Sequence, residues 1–177
     1  MIVKGLLQHT ESGGDTLTEQ EYTDAVLRNS QRIFLIALSF FSNRSDAEDA
    51  TQNVLLKLWK HREKLEDPVH IDKWLTRVTV NECRSLLRLR RNTISYEEIE
   101  TLCAAQTAPE EQEMMLAVLQ LPKEQRVVVH LFYYEEFSVR EIARLLRISE
   151  NAVKKRLSRA RETLRKRLKE EPENEPE

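Results

Sequence analysis

Residues 138–169, SVREIARLLRISENAVKKRLSRARETLRKRLK, constrain this chain more than any other stretch, because they spell a short helix, a tight turn and a long basic helix. Ser138 and Glu141 have the spacing of a capping box, which fixes where the first helix begins. Val139, Ile142, Ala143 and Leu146 then recur at three- and four-residue intervals, so one face is apolar and needs a partner. Ser149 is placed to cap the second helix, in which Val153, Leu157, Ala160, Leu164 and Leu168 form the stripe expected to be buried. Asn151, Lys154, Lys155, Ser158 and Arg159, followed by Arg165 and Lys166, lie on the other side. Hydrogen-bonding and cationic side chains on one face suit a major groove, the layout of a helix-turn-helix DNA reader. Charge runs usually do no more than solvate a helix, but here a capped helix and a three-residue turn precede the run. Arg147 stands in that turn where Gly is expected, and a left-handed conformation there costs about 1 kcal/mol.

Three Gly and five Pro in 177 residues argue for an all-helical build with few sharp turns. The net charge of -2 conceals a segregation. Residues 114–169 carry 14 basic and 6 acidic side chains, whereas 92–113 carry six acidic and no basic ones, and 170–177 five acidic and no basic ones. A basic module bracketed by acidic segments fits a nucleic-acid surface kept from binding indiscriminately. Cys83 and Cys103 form no CxxC pair, and His9, His61, His70 and His130 lack ligand spacing, so reduced thiols and no metal are expected. The opening MIVKGLLQHTESGGD has too short an apolar run for a signal peptide, and no stretch approaches a membrane span, which makes the cytoplasm the expected location. With no phosphate loop, HExxH or nucleophile elbow, no enzymatic constellation, catalytic residue or cofactor is expected.

Upstream, Thr18 with Glu21 reads as a capping box opening a helix to about Ser42, with Tyr22, Val26, Ile33, Phe34, Ala37 and Phe41 among its apolar residues. Ser45 with Glu48 reads as another, opening a helix to about His61 that buries Ala47, Ala50, Val54 and Leu58. Pro68 is read as interrupting the next connection, before a helix from about Ile71 to Arg91. Residues 92–113 lack sustained periodicity and read as an acidic linker. A helix resumes at about Glu110 and runs to Gln120, and Pro122 is expected at the first position of a helix to about Glu135. The run VVVHLFYY also has strand propensity, but its PKEQR lead-in favours helix. The organisation expected is therefore two small helical domains, a three-helix bundle over 18–91 and a helix-turn-helix domain over 114–169. A flexible segment 1–17, the linker 92–113 and a disordered acidic tail 170–177 complete it. The two domains are expected to fold independently, with proteolysis falling first in the linker.

The helix over 71–91 has two faces. Ile71, Trp74, Leu75, Val78, Leu86 and Leu89 gather on the core side. Lys73, Arg77, Asn81, Arg84, Arg88 and Arg91 form a stripe on the other, and cations one turn apart can follow a phosphate backbone while an Asn reads a base. A solvated face is the plainer alternative. On the helix before it, Glu48, Asp49 and Gln52 lie off the buried face beside Leu55 and Leu56. Acidic residues in a first turn ordinarily complement the helix dipole, but exposed leucines next to them hint at a protein-binding surface.

The segments SDAEDATQNVLLKLW, IDKWLTRVTVN and LPKEQRVVVHLFYYEEFSVREIARLLRISENAVKKRLSRARETLRKRL resemble the extracytoplasmic-function (ECF) group of bacterial RNA polymerase sigma factors, of the sigma-70 family. The resemblance covers about residues 20–169. It implies conserved regions 2 and 4 joined by a linker, with core RNA polymerase and promoter DNA, both duplex and melted strand, as partners, and an anti-sigma factor as a further one. Carried over residue by residue, it implies that Glu48, Asp49, Gln52 and Leu56 grip the polymerase. Trp74 and Asn81 would hold the minus-ten element, with the loop Glu63–His70 capturing a base, and the stripe cations Lys73, Arg77, Arg84 and Arg88 are expected to bind the same element. Asn151, Lys154, Lys155, Arg156, Ser158 and Arg159 would read the minus-thirty-five element, and the acidic linker would thread toward the polymerase active centre. The sequence departs from the family pattern at Leu55, Ile71, Arg147 and Ala152, the last two bearing on the minus-thirty-five contacts. The function expected is a transcription-initiation specificity subunit without catalysis of its own. The alternative is a stand-alone helix-turn-helix repressor or activator, which would leave the Asn81 stripe and the AEDATQ segment unexplained.

Overall fold

The computed structural model describes residues 18–41, 43–62, 68–89 and 109–170, and every regular element among them is a helix. Helix α1 (Glu19–Phe41) opens on the expected capping box. The Thr18 N–H donates to Glu21 Oε2 at 2.8 Å, and the Glu21 N–H donates to Thr18 Oγ1 at 3.2 Å, so two orphan donors are satisfied reciprocally. These bonds from Thr18 hold the Glu21 carboxyl below its ordinary pKa.

Helix α2 (Arg44–His61) is capped differently from the Ser45/Glu48 expectation. Asn43, in extended conformation, accepts the Asp46 N–H on its side-chain oxygen at 2.8 Å. Asn ranks among the strongest caps, and by acting two residues earlier it draws Ser45 into the first turn and leaves Glu48 to pair with Arg44. Helix α3 (Pro68–Leu89) likewise starts before the expected Ile71. Pro68 opens the helix rather than interrupting the connection, because a missing N–H costs nothing in a first turn. Pro68, Val69 and His70 therefore belong to the helix and not to the loop assigned to Glu63–His70. Residues 63–67, Arg91 and the linker as far as 108 lie outside the described residues, as do 1–17 and 171–177.

Helix α1 packs across α2 and α3. Ala47, Ala50, Val54 and Leu58 are fully buried as their spacing requires, and Ile71 and Leu75 of α3 cluster with Val54 and Leu58. Trp74 and Val78 are half-buried against the same cluster.

The second group comprises α4 (Pro109–Leu119), α5 (Lys123–Val129), α6 (Val139–Leu146) and α7 (Glu150–Glu170). Helix α4 begins inside the span read as linker. Pro122 stands at the N-cap position just outside α5, at φ -51° and ψ 138°, so the helix starts one residue later than expected. The ambiguous VVVHLFYY is helical, with α5 running on into a π turn over His130–Tyr134. Val127 to Leu131 are all buried, so no face periodicity shows in the sequence there.

The two groups are packed on one another, and the larger core cluster draws on both. The end of α1, Ile36 to Phe41, is buried on every side because α2 and α3 cover one flank and α5 the other. Arg126 is 2% exposed at this seam, donating Nε to the Ser39 carbonyl and Nη1 to the Leu119 carbonyl, both at 2.7 Å. A buried guanidinium is costly unless its donors are met, and here carbonyls from both groups meet them.

Candidate nucleic-acid interface

Helices α6 and α7 form the helix-turn-helix. Ser138 and Glu141 complete the capping box, and these bonds, followed by the charges of Lys73 and Arg77, hold the Glu141 carboxyl below its ordinary pKa. Arg147 sits in the left-handed region at φ 55° and ψ 50°, and the Ile148 N–H closes the turn onto the Ala143 carbonyl at 3.0 Å. The helix thus ends in the geometry that glycine usually supplies, with the strain the sequence implied. Ser149 Oγ accepts the Ala152 N–H at 3.1 Å and starts α7.

Ile142 and Ala143 of α6 bury against Val153, Leu157 and Ala160 of α7. Leu164 is half-buried, but Leu168, expected in the same stripe, is 38% exposed. At about 1.5 Å per residue, the 21 residues of α7 outrun the module beneath them. Its distal part is held by polar clips instead, Arg161 donating to Tyr133 Oη at 2.8 Å and Arg167 to Gln120 Oε1 at 2.7 Å. Asn151, Lys154, Lys155, Ser158 and Arg159 are exposed together on the outer face, with Arg156 half-buried at its edge.

On α3, Lys73, Arg77, Asn81 and Arg88 are exposed and share a stripe. Arg84 is half-buried and donates Nη1 to the Leu145 carbonyl of α6 at 2.9 Å. Burial lowers its pKa, and the nearby Arg147 and Arg88 lower it further. Arg77, Asn81, Phe137, Glu141, Arg144, Leu145 and Arg147 line a cleft of about 330 Å³ between α3 and the helix-turn-helix. Arg144 and Arg147 thus join the α3 cations, a juxtaposition for which the sequence offers no local signal. Trp74 is set apart from the stripe, half-buried against the first core with its ring 5.9 Å from that of His61.

The third surface lies on α2. Gln52 and Leu56 are exposed, Leu56 at 57%, while Glu48 and Asp49 are half-buried. Leu55 does not share this exposure: it packs against the core, with its carbonyl 3.5 Å from Tyr22 Oη. Sequence reading missed Trp59, which is 40% exposed and continues the line from Gln52 and Leu56 at offsets of seven and three residues. Tyr22 meets its ring edge-on at 4.9 Å, and the Arg62 guanidinium lies over it at 4.0 Å.

Among the described residues no cluster of His, Cys, Asp and Glu could hold a metal ion, and no helix is long and apolar enough to cross a membrane. Cys83 is buried, which pushes its thiol pKa up.

A three-helix group with a basic stripe is thus followed by a helix-turn-helix with a second basic face, the architecture of a DNA-binding protein with two helical modules. The sequence matches Sigma-70 region 2 over residues 25–93 and Sigma-70, region 4 over 111–164. It is 33% identical over 145 residues to the ECF RNA polymerase sigma factor SigL of Mycobacterium tuberculosis, covering 76% of this chain and 81% of that protein. A probable RNA polymerase sigma factor of Xanthomonas campestris pv. campestris, RfaY, is 30% identical over 175 residues, or 92% of this chain, which spans 43% of that relative's length. The fold is similar to that of the sigma factor RpoE in complex with the anti-sigma factor NepR from Bartonella quintana. The TM-score is 0.63 at 22% identity, covering 86% of this chain and 99% of that one. The chain belongs to the ECF sigma factors of the sigma-70 family. A helix-turn-helix regulator acting alone is not favoured, since residues 25–93 match region 2.

Proposed function

We propose that this chain binds core RNA polymerase in the cytoplasm and directs it to promoters through a minus-ten and a minus-thirty-five element, contributing specificity and no catalysis. The carrying observation is the exposed row Asn151, Lys154, Lys155, Ser158 and Arg159 on a second helix capped by Ser149, which offers base-reading and phosphate-binding groups on one face. In this reading Arg156 supports the row from its edge. Lys73, Arg77, Asn81, Arg84 and Arg88 track the melted minus-ten strand, with Trp74 bracing the start of α3 from the core side. Glu48, Asp49, Gln52 and Leu56, extended by Trp59, form the polymerase-docking surface, and an anti-sigma factor is the expected regulator. Run-off transcription with purified core polymerase and a panel of promoter templates tests the proposal. Promoter-dependent transcripts that require this chain are expected, whereas specific duplex binding without any polymerase dependence would overturn it.

A further inference from the structure

The cleft of about 330 Å³ between α3 and α6 has an electrostatic character that the two promoter-reading faces leave without a role. Every cation lining it is an arginine: Arg77 on one wall, Arg144 and the left-handed Arg147 on the other. All three are exposed, and none is hydrogen-bonded or ion-paired to another described residue. Asn81, four residues on from Arg77, adds an amide to the same wall, while Phe137 and Leu145 make the lining partly apolar. Arg84 stands beside the cleft with one donor given to the Leu145 carbonyl. Its pKa, lowered by burial, is lowered further by the charges of Arg147 and Arg88, so the cluster repels itself.

Glu141 is the one carboxylate among the lining residues, and it is spent on the helix cap. Its Oε2 accepts the Ser138 N–H at 2.9 Å and the Ser138 hydroxyl at 2.7 Å, and Arg77 acts on it only as a nearby charge. A concave surface of one sign with low-dielectric walls focuses its field and concentrates counter-ions. Guanidinium groups add geometry to that field, because their planar forks match phosphate oxygens two at a time, as a lysine ammonium does not. The volume lies near the lower end of the range of about 300 to 1,000 Å³ typical of small-molecule sites, so the cleft takes a short phosphate chain and excludes a duplex. Arg144 and Arg147 also lie off the outer row of α7, so duplex reading by that row does not employ them.

We infer that the cleft is a binding site for a free oligophosphate, a small anion of two or three linked phosphates, held between Arg77 and Asn81 of α3 and Arg144 and Arg147 at the end of α6. Guanidinium groups on two walls favour an anion whose oxygens are spread over more than one phosphorus, so affinity rises from orthophosphate through pyrophosphate to tripolyphosphate. The Asn81 amide donates to the same oxygens. The site goes beyond promoter reading and does not depend on it. Arg77 and Asn81 belong to the α3 stripe as well, so a bound oligophosphate occupies two of the side chains proposed for the melted strand.

Isothermal titration calorimetry of the full chain with sodium orthophosphate, pyrophosphate and tripolyphosphate, at one ionic strength set with potassium chloride, tests the site. Tripolyphosphate should bind at one site per chain and more tightly than the shorter anions. Arg144→Gln and Arg77→Gln, one from each wall, should each weaken it by about 10-fold or more, the scale of a charge-assisted hydrogen-bonded contact. Arg144→Lys, which keeps the charge and loses the fork, should fall between Arg144→Gln and the wild type. Arg28→Gln on α1 removes the same charge far from the cleft lining and should leave the affinity unchanged. Circular dichroism confirms that each variant keeps its helix content, and loss of helix in one wall's variant leaves the other's to decide. Non-saturating binding, or equal weakening by Arg28→Gln and Arg144→Gln, would reduce the effect to net charge and overturn the site. So would a single-stranded deoxyoligonucleotide whose binding depends on Arg144 while tripolyphosphate fails to bind, since the cleft would then belong to nucleic acid.

Discussion

His130 should make this fold acid-sensitive. The side chain is buried in the π turn, its ring stacked on Tyr134 at 5.1 Å, and its Nε2 has no hydrogen-bond partner. Burial pulls its pKa from 6.5 down to about 4, overcoming the attraction of Glu135, while Arg32 adds to the depression. Protons therefore bind the unfolded chain in preference between about pH 6.5 and 4, and stability falls as pH drops through that interval. From the two values, moving from pH 7 to pH 5 should cost about 2 kcal/mol. Urea unfolding at both pH values measures this, with His130→Phe as the comparison because it keeps a stacking ring and cannot titrate. The wild type should lose the stated amount and the variant much less. An equal loss in both proteins would assign the acid sensitivity to other groups and refute the argument. Glu21 and Glu141, whose pKa values are lowered, act in a separate window, since their contribution holds above the ordinary carboxylate pKa and is lost on acidification below it.

Arg147→Gly should stabilise the second group by about 1 kcal/mol in thermal unfolding, because the φ of 55° is strained only for a residue with a Cβ; a lower midpoint would show that the Arg147 side chain contributes more than its backbone costs. Lys155→Ala should cost about 1 to 3 kcal/mol on a matched minus-thirty-five duplex and much less on a scrambled one, while Arg165→Ala should weaken both alike and flatten the salt dependence. Equal losses on both duplexes for Lys155→Ala would make it a backbone contact. Asn81→Ala should impair promoter opening, read by permanganate footprinting, more than duplex capture, and normal opening would return Asn81 to an ordinary surface residue. Asp49→Ala combined with Gln52→Ala should weaken affinity for core polymerase with helix content unchanged, and undiminished affinity would remove α2 as the docking surface.

What could be read from the sequence depended on how far apart the interacting groups lie along the chain. The capping boxes at Thr18/Glu21 and Ser138/Glu141, the left-handed Arg147, the buried Ala47, Ala50, Val54 and Leu58, and the exposed row on α7 all arise within one or two helical turns. Local hydrogen bonding and the 3.6-residue period write them directly into neighbouring positions. Two misreadings at helix starts were also local: Asn43 displaced Ser45 as a cap, and Pro68 served to open a helix. Arg32 and Glu135 are 103 residues apart and Arg126 and Ser39 are 87, and nothing in either neighbourhood marks them as partners. The α3 stripe was visible as a row of cations, but its confrontation with Arg144 and Arg147 depends on how one helical group settles on the other. Helix identity, capping and facial polarity were decided by the sequence alone, since their energies are local. The shared core and the buried Arg32–Glu135 ion pair across it were decided only in the tertiary structure, since burying a charge or an all-round apolar helix end requires a surface supplied from a distant part of the chain.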